Sequence, residues 1–150
     1  MLETASRERM RRAGSMILLR SFAAWLLILV FAMLNGGFRD AVLLPSLGKP
    51  AALVLSGALL SACVLIVAVV LATWLKLDDT ARSLSVGSLW LVLTLAFEFG
   101  FGRLVQGRSW PEMLEAYTFK DGNIWLLVLV VTFLAPLVAL RLRGPRRSAV

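Results

Sequence analysis

The 150 residues carry 16 Lys and Arg against 9 Asp and Glu, a net charge of +7, and no histidine. Hydrophobic residues make up 59% and the mean hydropathy is +0.84, too apolar for a soluble domain of this length with an ordinary polar surface. The missing histidine removes bis-His haem, most zinc sites and His-based acid–base catalysis, and a lone cysteine, Cys63, excludes an intramolecular disulfide, a paired-thiol redox motif and an iron–sulfur site.

Four apolar runs dominate the chain, at residues 16–35, 50–75, 84–102 and 123–141. A spanning helix needs roughly 20 mainly apolar residues to cross a hydrocarbon core of about 30 Å, and all four qualify. None alternates with the period of two that a membrane barrel requires. Isolated strands would leave backbone groups unpaired in lipid. The pattern predicts an all-α integral membrane protein: one antiparallel four-transmembrane-helix bundle over residues 1–150, with basic tails at 1–15 and 142–150.

In chain order, the N-terminal tail holds Arg7, Arg9, Arg11 and Arg12, and Arg20 lies just inside the first run. An Arg-rich stretch before an apolar run also introduces signal peptides. This run is longer than a usual signal core, and Asn35-Gly36-Gly37 matches a small-x-small cleavage site poorly, so a retained span is expected. The connection from Asn35 to Pro50 is apolar around Val42 to Leu44. It predicts a turn of helix over Arg39 to Leu44 lying in the interface, closed by Pro45 and Gly48.

The second run places Gly57, Ser61, Ala68 and Ala72 at spacings of four, seven and four, small side chains along one face that let a neighbouring helix come close. Cys63 in the same run reads as a small buried apolar residue. The third run contains Glu98, in Phe97-Glu98-Phe99-Gly100-Phe101-Gly102-Arg103. Counted from Leu84 at 1.5 Å per residue, it sits roughly 20 Å from the inner boundary. A carboxylate there costs on the order of 2–3 kcal/mol unless paired, hydrated or protonated. Arg39 is the expected partner, with Asp40 and Arg103 nearby. Gly100 and Gly102 would let a backbone or small ligand approach. This cluster supports two readings: an ion pair tethering the first connection to the third helix, or an outward-facing polar pocket for a proton, ion or small solute.

The third connection reads Ser109-Trp110-Pro111-Glu112, a capping box with Pro in the first turn. It predicts a short amphipathic helix at the outer interface, with Trp110 and Tyr117 at headgroup depth. In the fourth run Pro136 frees the carbonyl of Thr132 and predicts a mild kink.

Charge then sets orientation. The tails with Arg20, Lys76, Arg82, Arg141, Arg143, Arg146 and Arg147 collect 11 of the 16 basic residues on one side, leaving Arg39, Lys49, Arg103, Arg108 and Lys120 on the other. Both termini are therefore expected in the cytoplasm. Anionic headgroups are the expected partners of the tails, at about 1 kcal/mol per Lys or Arg near the surface. No nucleic-acid partner is expected, because no folded domain presents these arginines and no aromatics are interleaved with them. Neither a phosphate loop nor a Gly-x-Ser-x-Gly elbow is present, so no cofactor and no enzyme activity are expected.

Asn35-Gly36-Gly37-Phe38-Arg39-Asp40, Pro45-Ser46-Leu47-Gly48, the Glu98 to Arg103 segment and Ser109-Trp110 together resemble a group of small bacterial four-span inner-membrane proteins. The resemblance implies a bacterial inner-membrane location and carries no activity. Small multidrug exporters also have four spans and one membrane carboxylate, but theirs lies in the first helix, which has no acidic residue here. Two functions are thus expected. The first is a non-enzymatic accessory or scaffold subunit, binding a larger membrane complex or a second copy through its small-residue face and outer loops. The alternative is a small proton- or ion-coupled transporter or channel using Glu98.

Overall fold

The computed structural model describes residues 2–144, with side chains from Gly14 onward. The side chains of Arg7, Arg9, Arg11 and Arg12, and all of Arg146 and Arg147, lie outside the described residues. The described chain is helical, with no strand. Helix α1 (Leu2–Phe38) passes through a π-helical turn (Arg39–Leu43) into α2 (Leu44–Leu47). There follow α3 (Lys49–Leu71), α4 (Thr80–Leu104), the six-residue α5 (Trp110–Glu115), a 3₁₀ turn (Lys120–Gly122) and α6 (Trp125–Arg143). Four helical stretches, Gly14–Leu47, Lys49–Leu71, Thr80–Leu104 and Trp125–Arg143, are long and apolar enough to cross a membrane. The chain is a multi-pass membrane protein.

The largest departure from the sequence reading is in the first stretch. Asn35-Gly36-Gly37 does not turn but continues the helix, and the helical course runs to Leu47. Each glycine costs roughly 1 kcal/mol in a helix relative to alanine. Against that, Asn35 Nδ2 donates to the Ser56 carbonyl (3.0 Å) and Oγ (2.8 Å) and clamps this turn to α3. Pro45 accounts for the π turn. It has no N–H for the carbonyl four residues earlier and its ring crowds that carbonyl, so the helix widens before it and Leu44 N–H bonds Arg39 O. The break comes at Gly48 (φ +76°), where a side chain would be strained. At 34 residues and 1.5 Å each, this stretch is about 51 Å long, well beyond a hydrocarbon core of about 30 Å.

Helix α3 stops at Leu71, short of the expected boundary, but its winding ends at Leu75. Leu75 N–H still bonds Leu71 O, Lys76 is left-handed (φ 53°), and Leu77 N–H reaches back to Ala72 O at 3.0 Å. This is a Schellman ending with Lys where Gly is usual, and Leu77 is buried beside it. Asp79 then caps α4 by accepting from Arg82 N–H at 2.8 Å.

Helix α6 packs against both α3 and α4, and its Val128, Leu129, Thr132, Ala135, Pro136 and Ala139 are buried. The helices come very close at Gly87 in α4, where a Cβ would stand 1.9 Å from the Phe133 carbonyl oxygen of α6. On the other flank a Cβ at Gly57 in α3 would meet the Ile124 side chain at 2.5 Å. Helix α1 closes the group: Trp90 Nε1 donates to Ser21 O (2.9 Å), and Trp25 Nε1 to Thr94 Oγ1 (3.1 Å). Ala68 and Ala72, at 0% and 2% exposure, are inside the core rather than on a free face. Leu18, Leu19, Ile66, Val70, Val92 and Leu142 point outward, as expected where the surrounding solvent is hydrocarbon.

Gly87→Ala is expected to cost at least about 1–3 kcal/mol, since the added methyl meets backbone and not a movable side chain. Gly100→Ala, whose added methyl meets open space in the same helix, serves as the matched control and should stabilise by up to about 1 kcal/mol. Thermal unfolding of the purified proteins in mild detergent reads the difference.

Candidate functional site

One face of α4, formed by Thr94, Phe97, Glu98, Phe101 and Gly102, lines a cavity of about 340 Å³. Its floor is apolar: Ile28 from α1, Leu60 and Val64 from α3, and Val128 from α6. Trp25 belongs to the floor as well, its indole N–H tied to Thr94 and its ring set edge-on to Phe97 at 6.4 Å. At mid-height Asn35, Ser56, Glu98 and Trp125 face the same space. Above them, Arg39, Gln106, Arg108, Glu112 and Asn123 ring the end formed by the 105–124 connection.

Glu98 is half-buried, and its hydrogen bonds converge on one oxygen. Tyr117 O–H donates to Oε2 at 2.6 Å, and Trp125 Nε1–H donates to the same atom at 2.9 Å. Bonds to an ionised group contribute roughly 1.5–3 kcal/mol each, enough to offset much of the cost of a carboxylate in this position. Aromatic packing steers Tyr117, and the start of α6 positions Trp125. Tyr117 stacks on Phe99 at 6.0 Å, Trp110 lies against the other part of that ring at 5.9 Å, and Trp125 opens α6. Tyr117 is thus turned inward onto Glu98.

The expected arginine partner is elsewhere. Arg39 Nε pairs with its neighbour Asp40 at 2.8 Å, and among the described residues no ion pair joins either to Glu98. Arg39 shares the cavity with Glu98. Arg103 points away and donates to the Arg108 carbonyl at 3.2 Å. The basic group close enough to act on Glu98 electrostatically is Arg108, which the sequence reading did not single out. Gly100 opens on free space, whereas Gly102 makes room for Met113: a Cβ there would lie 2.9 Å from its sulfur. Of the small residues singled out in α3, Gly57 seats Ile124 of α6, Ser61 is partly exposed, and Ala68 and Ala72 are buried within the core.

The lid over this site is built from short-range signals. The capping box of α5 forms: Ser109 N–H donates to Glu112 Oε2 at 2.7 Å, and the Ser109 side chain accepts from the N–H of Glu112. These bonds from Ser109 hold the Glu112 carboxyl below its ordinary pKa. Met113, the buried residue of α5, packs on Gly102. Beyond α5 the chain passes through two left-handed residues, Phe119 (φ 55°) and Asp121 (φ 54°). Asp121 accepts from Lys49 Nζ at 2.7 Å, which lowers its pKa and ties the connection to the start of α3. No family model, curated protein or solved structure matches this chain.

Tyr117 is the chain's single tyrosine, so its phenol can be titrated by absorbance without interference from another. Burial raises its pKa, and the hydrogen bond and charge of Glu98 raise it further above the ordinary value of 10.0. Phenolate absorbance is expected well above pH 10, and Glu98→Gln should move it downward. Because the folded state holds this proton more tightly, the stability it lends is intact below pH 10 and falls as pH rises beyond it. Thermal unfolding at stepped alkaline pH measures that decline.

Proposed function

We propose that this chain is a small solute-binding membrane protein, a transporter or channel, in which Glu98 takes up a proton or cation within the cavity. The observation that carries this reading is the state of the carboxylate. It lines a cavity in a membrane-spanning helix, forms no ion pair among the described residues, and receives its two hydrogen bonds, from Tyr117 and Trp125, on Oε2. A purely structural acid in that environment is usually neutralised by a counter-ion, and intramembrane ionisable groups otherwise mark ion and substrate paths.

An accessory or scaffold role draws less support from the packing. The small residues of α3 that would seat a partner helix are engaged inside the chain, with Gly57 against α6 and Ala68 and Ala72 in the core. In the reading put forward here the four spans form an antiparallel bundle in a bacterial inner membrane with both termini cytoplasmic. The distribution of 11 basic residues against 5 supports that orientation. The cavity then opens to the outer side. Helix α5 and the distal end of the 34-residue first stretch lie at the outer interface, where a helix too long for the hydrocarbon emerges.

Glu98→Gln keeps the shape and removes the charge. In liposomes with a trapped pH dye, the wild type is expected to pass protons under an imposed gradient, and the variant to lose at least ten-fold of that flux while eluting as the same species in detergent. Equal flux from both proteins removes Glu98 from any transport path and leaves the scaffold role as the better account.

A further inference from the structure

The cavity presents its polar groups in a definite vertical order, and that order selects a ligand. At mid-height the side-chain N–H donors are already engaged within the protein. Asn35 gives its amide hydrogens to Ser56, Trp25 gives its indole N–H to Thr94, and Trp125 gives its own to Glu98. The charged group left at this level is the Glu98 carboxylate, whose Oε1 receives neither of its two hydrogen bonds, beside the Ser56 hydroxyl. A guest at mid-height must therefore donate, and a carboxylate among Trp25, Phe97 and Trp125 suits an ammonium by charge and by its attraction to aromatic faces.

The mouth has the opposite character. Two of its charged groups are engaged locally: Arg39 with Asp40, and Glu112 with the Ser109 N–H. Arg108 has no ion pair among the described residues, yet faces the same cavity and lies within electrostatic reach of both Glu98 and Glu112. Its guanidinium is a fork of N–H donors suited to a carboxylate or similar acid group. Below Glu98 the floor is mainly hydrocarbon and ring surface, and its two hydroxyls are engaged within the protein, Thr94 accepting from Trp25 and Thr132 donating to Val128 O. At about 340 Å³ the space suits a compact molecule, near the lower end of ligand pockets generally.

We propose that the cavity binds a small zwitterion with an apolar body, its ammonium on Glu98, its acid group under Arg108 and its apolar substituent against Trp25 and Val64. This rests on the solute-binding reading above and adds the ligand's class.

Three probes that differ only in charge test it: L-phenylalanine, 2-phenylethylamine, which lacks the carboxylate, and 3-phenylpropionate, which lacks the ammonium. Binding to the full chain in lipid nanodiscs is measured by calorimetry and by tryptophan fluorescence, since Trp25 and Trp125 line the site. L-Phenylalanine is expected to bind at least ten-fold tighter than either analogue. Arg108→Gln should erase its advantage over 2-phenylethylamine and leave that amine's affinity unchanged. Glu98→Gln should erase its advantage over 3-phenylpropionate. Arg108 is exposed, so its variant tests the acid-group contact without disturbing the core. If 2-phenylethylamine binds as tightly as L-phenylalanine, the site takes simple cations: the zwitterion assignment falls while the solute-binding reading stands. Preference for 3-phenylpropionate, or no binding by any probe, overturns the assignment, and the proton-flux comparison decides the broader reading on its own.

Discussion

A carboxylate inside an apolar helix has to be solvated by something, and here the solvating groups come from a different part of the chain. Tyr117 and Trp125 flank the 3₁₀ turn between α5 and α6, and both donate to one oxygen of Glu98 on α4. That convergence organises the upper half of the molecule. It turns Tyr117 inward over Phe99, sets the first turn of α6 beside α4, and leaves the second oxygen of Glu98 without either bond. Losing either donor would leave the acid with half of these hydrogen bonds.

The lower half is held by close packing. With lipid outside as apolar as the helices themselves, burial of hydrocarbon gives little drive, and association depends on contact distance and hydrogen bonds. Gly87 brings α4 onto the backbone of α6, and Trp90 fills the centre while donating to Ser21 O. Pro136, fully buried in α6, lies one turn past Thr132, whose hydroxyl donates to Val128 O. The result is a tight base below an upper region that widens into the cavity. The widening occurs where aromatic and polar side chains replace small ones.

Those two halves explain why the polar groups are arranged by height. Near the floor a polar group must find an internal partner, as Trp25 and Thr94 do. At mid-height Asn35 and Ser56 satisfy each other and also fasten the glycine-bearing turn of α1. At the mouth, Arg39 with Asp40 and Lys49 with Asp121 are exposed pairs that contribute little to stability. Their value lies in fixing loops around the opening.

Composition and run length by themselves determined that this chain is helical and crosses a membrane, because no other structure lets an apolar stretch of 20 residues satisfy its backbone in lipid. The capping box at Ser109 and Glu112 and the unusual position of Glu98 were likewise legible, since each depends on residue type over a few neighbours. The course of the first helix past Gly36 and Gly37 was not, because a contact with Ser56, 21 residues on, outweighs local preference. Nor was the partner of Glu98. Charge pairing pointed to Arg39, but Tyr117 and Trp125, 19 and 27 residues away, reach it through the path of the connection between α5 and α6. Gly87 carried no special signal either, since its meaning is the Phe133 carbonyl opposite. Sequence fixes which groups need partners; only the packing of helices against one another decides which distant atoms meet that need.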